Sequence, residues 1–289
     1  MHRTLGIIGG SGLYELAGLS ALEELTVTTP FGAPSDVILR GKLGETTLLF
    51  LPRHGRGHRL PPHRINYRAN VFALKQLGAE LLLSVSAVGS LREDIAPGDM
   101  VVVDQFIDRT RGRVSTFFED HGLVAHVGFG DPTDAALSGA VFEALREVGA
   151  RAHRGGTYVC MEGPQFSTRA ESNLYRSWGA HVIGMTNLPE AKLAREAELP
   201  YASLAMATDY DCWHQSEAAV SVEAVIAVLH QNVDTARKTV AALARRLPDP
   251  AACPASSALR DAVITAPQFI GRAAREQLAP LIGKYFPAE

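Results

Sequence analysis

Two acidic residues spaced i, i+2 close an apolar run. Thr208-Asp209-Tyr210-Asp211-Cys212-Trp213 follows the stretch YASLAMA at 201–207. In extended backbone alternate side chains share a face, so both carboxylates can meet one ligand. A carboxyl group beside a bound heterocycle can give or take a ring proton. The same pair also reads as an exposed acidic turn or an Asx cap. Magnesium is disfavoured, because nothing else in the sequence signals a metal site.

A second segment, Arg53-His54-Gly55-Arg56-Gly57-His58, offers an arginine fork for an oxyanion and His54 as a further donor. Its shortness suits a small anion, and its plain alternative is a solvated basic loop. Gly9-Gly10-Ser11-Gly12 follows the apolar residues 5–8 and presents successive N–H groups and the Ser11 hydroxyl. It is neither G-x-G-x-x-G nor a Walker A loop, and it reads equally as a tight structural turn. Residues 84–90, SVSAVGS, place Ser86 and Ala87 at the end of another apolar run. The alternative there is a small-residue turn beneath a helix. Phe166, beyond Glu162-Gly163-Pro164-Gln165, can stack on a planar base or sit in a core. Met185 and Thr186 can bring a thioether and a hydroxyl to a sugar, or simply pack.

These segments need strands that end together, since open α/β sheets bind ligands beyond the carboxyl ends of their strands. Periodicity predicts strands over 5–8, 37–43, 46–51, 81–88, 100–103, 157–161, 181–185 and 201–208. It predicts helices over 66–77, 134–148, 169–178, 189–198 and 222–246. Leu137, Val141, Leu145 and Val148 make one helical face. Strands alternating with helices imply an α/β domain with a mostly parallel sheet. The composition changes at Leu247-Pro248-Asp249-Pro250, so the expected division is 1–247 as the domain and 248–289 as a linker and helical C-terminal extension. That extension is too short for its own core and is expected to lie on the main domain or on a partner subunit.

The chain has 289 residues, 46% of them hydrophobic and 20% charged, with a formal charge of −3. This excludes disorder, a coiled coil and a basic nucleic-acid surface. Cys160, Cys212 and Cys253 are too few and too scattered for a disulfide framework or a zinc site, so no metal is expected and reduced thiols in the cytoplasm are. No run reaches 18 apolar residues, so no membrane partner is expected.

Taken together, the segments resemble the methylthioadenosine phosphorylase branch of the trimeric purine nucleoside phosphorylase family. The resemblance spans about residues 5–245 and rests on GIIGGSGL at 6–13, TPFGAPSD at 29–36 and PRHGRGH at 52–58. NYRAN at 66–70, SAVGSLRED at 86–94, DQFIDRT at 104–110, EGPQFSTRAES at 162–172 and ATDYDCW at 207–213 complete it. It implies a single nucleoside phosphorylase-like α/β domain, its central mixed sheet flanked by helices. The implied reaction is phosphorolysis of S-methyl-5′-thioadenosine in purine and methionine salvage, with inorganic phosphate as co-substrate and no cofactor. Ser11, Arg53, His54, Ser86, Ala87 and Thr186 match the phosphate site. Phe166 and Met185 match the base and ribose contacts, and Asp209 and Asp211 the purine-recognition pair, with Asp209 the general acid. Val222, Val225 and Ile226 match an apolar wall around the 5′-alkylthio group, and His126 a residue supplied across a subunit interface. Gly184 stands where some relatives carry Asn. A homotrimer is implied, with a hexamer as the alternative assembly. The alternative activities are a broad purine nucleoside phosphorylase acting on adenosine or 6-oxopurine nucleosides and a non-catalytic nucleoside-binding protein.

Overall fold

The computed structural model describes residues 3–10, 12, 13, 15–214 and 222–287, the side chains of 222–227 excepted. Among the candidate site residues, Ser11 and the side chains of Val222, Val225 and Ile226 therefore lie outside the described residues. In chain order the strands are β1 (Arg3–Gly9), β2 (Ser20–Leu25), β3 (Ile38–Leu43), β4 (Thr46–Pro52), β5 (Leu81–Ser90), β6 (Met100–Val103), β7 (Gln105–Arg109), β8 (Ala152–Arg154), β9 (Thr157–Met161), β10 (Val182–Gly184) and β11 (Tyr201–Asp209). The helices are α1 (Tyr67–Gln76), α2 (Ala135–Glu147), α3 (Arg169–Ser177), α4 (Asn187–Glu196), α5 (Val222–Leu243), α6 (Arg272–Gln277) and α7 (Ala279–Ile282).

All eleven strands join one mixed sheet. At its centre β5 runs parallel to β1 and β11. Near its carboxyl end β5 pairs antiparallel with β10, where Ile183 lies opposite Gly89. Asp209 of β11 also lies opposite Gly89, beyond a register shift after Ala207. Three strands thus meet at Gly89. The sheet is mixed, as the resemblance implies: among the described residues six pairings are parallel, and β2–β3, β3–β4, β5–β10 and β6–β11 are antiparallel. Periodicity does not announce β2, β7 and β8, because they are short, hold no fully buried residue and so show no apolar alternation.

Helices cover both faces. Leu137, Val141 and Leu145 of α2 are buried against Leu5, Leu83 and Leu204 in one core layer, as their spacing predicts. The Asp134 side chain accepts from Leu137 N–H and caps that helix. Thr168 and Glu171 form a reciprocal capping box on α3. Residues 248–257, read as a linker, form two 3-10 turns opened by Pro250 and Pro254, and their Cys253 and Ala255 are buried. Leu259, Leu278 and Ile282 beyond them share the other core layer with Ile8 and Leu82. The Glu198 carboxylate fastens this tail by accepting from Leu259 N–H and Tyr285 Oη–H, and it pairs with Lys284.

Glu196 of α4 holds the 116–118 segment through Thr116 Oγ1 (3.1 Å) and Phe117 N–H (2.9 Å). Burial outweighs these bonds and pushes its carboxyl up to about 7. A group raised above its unfolded value adds stability that is complete below the unfolded value and is lost as pH rises through the folded one. The ordinary value of this carboxyl is 4.5, so stability should fall as pH rises from 4.5 to about 7. Glu196→Gln is expected to flatten that fall in a melting-temperature series from pH 5 to 8. An equally steep fall in the variant would reject the assignment.

Candidate active site

The carboxyl ends of β1, β4, β5, β10 and β11 bring the predicted segments together. Gly9 ends β1, and its carbonyl accepts from Arg53 N–H (2.9 Å). A Cβ at Gly9 would stand 2.3 Å from Leu13 Cδ1 and 3.2 Å from the Val85 carbonyl, so glycine lets Leu13 and β5 pack closely against this strand end.

Arg53 is buried, and its fork is largely occupied. Nε and Nη2 donate to the Glu190 carboxylate at 2.8 and 3.0 Å. Nη2 also reaches Ser84 Oγ (2.7 Å) and Ile8 O (3.1 Å), and Nη1 reaches Val85 O (3.0 Å). One Nη1 hydrogen is left without an acceptor among the described residues. Burial alone would lower the guanidinium pKa, but Glu190 outweighs it and holds the charge in place. Tyr201 Oη–H donates to the same carboxylate (3.1 Å). Arg53 thus presents an anchored positive charge, in place of the free bidentate clamp its sequence context implied.

His54 departs from expectation as a ring donor. Its Nδ1 lies 2.8 Å from the Leu60 carbonyl, which only accepts, so Nδ1 carries the hydrogen. Burial and the stacked His58 ring, centroids 4.0 Å apart, push its pKa down to about 4. At neutral pH Nε2 is an unprotonated acceptor, matched to a phosphate oxygen that bears a hydrogen. Ser86 is buried on β5 and its Oγ completes no hydrogen bond, whereas Ala87 beside it is exposed. Thr186 is buried at the start of α4, where its hydroxyl is not spent on capping.

The acidic pair stands where β5, β10 and β11 meet. A Cβ at Gly89 would lie 3.0 Å from Asp209 Oδ1, 3.2 Å from Asp211 Cβ and 3.2 Å from Ile183 Cγ2, so glycine leaves the room. Asp209 Oδ1 accepts from Asp211 N–H (2.8 Å), and Asp209 Oδ2 lies 2.7 Å from Thr208 Oγ1. Thr208 Oγ1 is also 3.2 Å from Val88 O. Its single hydrogen can serve the ionised carboxylate, or turn to Val88 O and leave the oxygen to accept from a protonated Asp209. Asp211 is buried with Oδ2 unpartnered. Burial first, and Asp209 after it, raise the Asp211 carboxyl above its usual value.

Phe166 is 51% exposed, so it is not a core residue. Ser167 O next to it accepts from Cys212 Sγ–H (3.2 Å), tying the aromatic loop to the acidic turn. Met185 packs on Gly163, where a Cβ would lie 2.5 Å from its Sδ and where φ is +68°. His126 is exposed and donates its N–H to Ala262 O (2.8 Å). Among the described residues its contacts do not include the acidic pair or Arg53. All three thiols are free, and burial raises the Cys160 thiol to about 12, which leaves it inert.

Sequence reasoning missed four residues. Glu190 falls at the i, i+3, i+4 and i+7 spacing with Leu193, Ala194 and Ala197, all buried. A carboxylate on an apolar helical face was the available signal. Arg113 donates to Met185 O (2.7 Å), Leu188 O (2.9 Å) and Glu162 O (2.7 Å), stitching the Met185 and Glu162 loops together. No spacing in TRGR points to it. Thr208 and Tyr158 read as strand residues. Among the described residues no cluster of three or more His, Cys, Asp or Glu could hold a metal ion, and no helix is long and apolar enough to cross a membrane.

Residues 4–247 match the family described as the phosphorylase superfamily. The S-methyl-5′-thioadenosine phosphorylase of Geobacter sulfurreducens is 56% identical over 99% of this chain and 100% of its own length. That of Koribacter versatilis is 55% identical over 99% of this chain and 98% of its own. A solved methylthioadenosine phosphorylase from an antarctic soil metagenomic library is 46% identical, with a TM-score of 0.91, over 97% of this chain and 99% of that one. The Schistosoma mansoni methylthioadenosine phosphorylase in complex with adenine is 38% identical, with a TM-score of 0.78, over 84% and 91%.

Proposed function

From the premise that the chain belongs to the phosphorylase superfamily, we propose how its site cleaves S-methyl-5′-thioadenosine with inorganic phosphate, releasing adenine and 5-methylthio-α-D-ribose 1-phosphate. The observation that carries the reading is the meeting of an acidic pair with hydroxyl and cationic groups at adjoining strand ends. Bond cleavage leaves positive charge on the ribosyl ring and negative charge on the purine. Arg53, His54, Ser86, Ala87 and Thr186, with Ser11, hold phosphate below C1′, where its charge stabilises an oxocarbenium-like transition state. Asp209 gives a proton or a strong hydrogen bond to purine N7. The Thr208 hydroxyl supports this role, because it accommodates the protonated carboxyl as well as the ionised one. Asp211 accepts from the exocyclic amine. Phe166 covers the base and Met185 lies under the sugar, and the resemblance assigns the alkylthio wall to Val222, Val225 and Ile226, whose side chains lie outside the described residues.

The test is adenine release from methylthioadenosine with and without phosphate, beside adenosine, inosine and methylthioinosine. Phosphate-dependent release that favours methylthioadenosine is expected. Equal turnover of inosine would instead indicate a broad nucleoside phosphorylase, and release without phosphate a hydrolase.

The assembly proposed with this site is a homotrimer. Val124 and Ile264 are exposed and joined by Ile264 N–H donating to Val124 O (3.0 Å), beside His126. This apolar strip supports a seam with a second copy of the chain, across which His126 would reach the neighbouring site. A trimer mass is expected in sedimentation at assay concentration, and a fully active monomer would refute it.

A further inference from the structure

Tyr158 of β9 is wholly buried, yet its hydroxyl completes no hydrogen bond. Buried hydroxyls are normally paired, so this one needs an explanation. Its position is set by packing. The ring meets Phe106 edge-on at 5.7 Å, and its tip presses on Gly184 of β10, where a Cβ would lie 2.0 Å from Oη. Only a glycine there lets the phenol extend this far. The tip then reaches the Ser86 side chain and the Thr186 backbone closely enough to be polarised by both, although neither contact completes a hydrogen bond, and the Arg53 charge is close enough to be felt. Ser86 Oγ is likewise buried and unpartnered. Two unpaired hydroxyls therefore face one another inside the phosphate half-site.

We propose that Tyr158 is a positioning residue of that half-site: its O–H donates to Ser86 Oγ once Ser86 gives its own hydrogen to a phosphate oxygen. A serine hydroxyl has one hydrogen and two lone pairs, so without phosphate nothing fixes which way Ser86 points. Phosphate draws that hydrogen, and the vacated acceptor side turns to the phenol. The relay Tyr158–Ser86–phosphate strengthens each bond in turn. Burial first, and Cys160 after it, push the phenol well above its ordinary value, so it remains a donor across the working pH range. The inference rests on placing phosphate at Ser86.

The test compares Tyr158→Phe, Ser86→Ala and the double variant by initial rates with phosphate and with nucleoside varied separately. Tyr158→Phe should raise KM for phosphate about five- to tenfold, as for one oriented hydrogen bond. KM for methylthioadenosine should stay put. The melting temperature should be unchanged or higher, because the lost hydroxyl had no partner in the free protein. A purely structural tyrosine would lower the melting temperature and leave the phosphate KM alone. In the Ser86→Ala background, Tyr158→Phe should add nothing. A parent-like phosphate KM in Tyr158→Phe with an impaired Ser86→Ala would overturn the relay alone, as would independent, multiplicative effects of the two changes. A parent-like phosphate KM in Ser86→Ala would overturn both the relay and the placement of phosphate at Ser86.

Discussion

Glu190→Ala is expected to destabilise the protein by about 3–5 kcal/mol, the cost of leaving a buried charge without its partner. Arg53 cannot shed its proton to escape, and its other acceptors are the neutral groups Ser84 Oγ, Ile8 O and Val85 O. The same variant should raise KM for phosphate well above any change in KM for nucleoside. Glu190 grips two of the three guanidinium nitrogens and so sets where the remaining Nη1 hydrogen points. Glu190→Gln keeps the shape and one acceptor, so its stability loss should be smaller while the phosphate defect persists. Denaturant unfolding and phosphate titration of the folded fraction measure the two effects. A Glu190→Ala protein within about 1 kcal/mol of the parent, with unchanged phosphate KM, would show that the pair is not needed. Arg53→Ala strands Glu190 in turn, so its loss of activity must be read beside its loss of stability.

The second large effect concerns the acidic pair. Asp209→Asn should lower kcat/KM about 10²–10⁴-fold on methylthioadenosine and methylthioinosine alike, the usual contribution of a positioned general acid. The amide fits the site: its oxygen can accept from Asp211 N–H, while its NH2 donates to Thr208 Oγ1, whose hydrogen turns to Val88 O. The fold should survive, and what is lost is the transferable proton. Asp211→Asn should instead narrow the preference for 6-amino over 6-oxo purines, because an amide can donate to a 6-oxo group. It also removes a carboxylate that burial disfavours, so its melting temperature should hold or rise at neutral pH. An unaltered base preference in Asp211→Asn, together with undiminished turnover in Asp209→Asn, would remove this division of roles.

Much of the candidate site could be proposed without coordinates because its residues cluster in short segments at predicted strand ends. Asp209 closes β11, Asp211 opens the 3-10 turn that follows it, and Ser86 and Ala87 lie near the end of β5. The apolar spacing of α2 located a helix whose inward face is buried as expected. The strands that escaped were the half-exposed ones, since an edge strand such as β2 carries no apolar alternation to detect. His54 shows the same limit at a single residue. A histidine beside an arginine in a glycine-rich loop reads as a donor. Only the carbonyl of Leu60 and the stack on His58 make its free nitrogen an acceptor.

The order of chemical groups along this chain thus follows from local pattern alone: loops rich in glycine, serine and arginine, an aromatic loop, an acidic pair, and the α/β scaffold that carries them. Their electrostatic state does not. Arg53 and Glu190 are 137 residues apart, and nothing in their neighbouring residues announces that one will neutralise the other. Tyr158 reaches across to Gly184 only because β9 and β10 pair in a register that sets Val182 opposite Tyr158 and Gly184 opposite Cys160. Burial, the removal of competing water and the choice of partner are properties of contacts between distant segments. Those contacts determine whether an arginine is a clamp or an anchored charge, whether a histidine gives or accepts, and which carboxyl holds a proton.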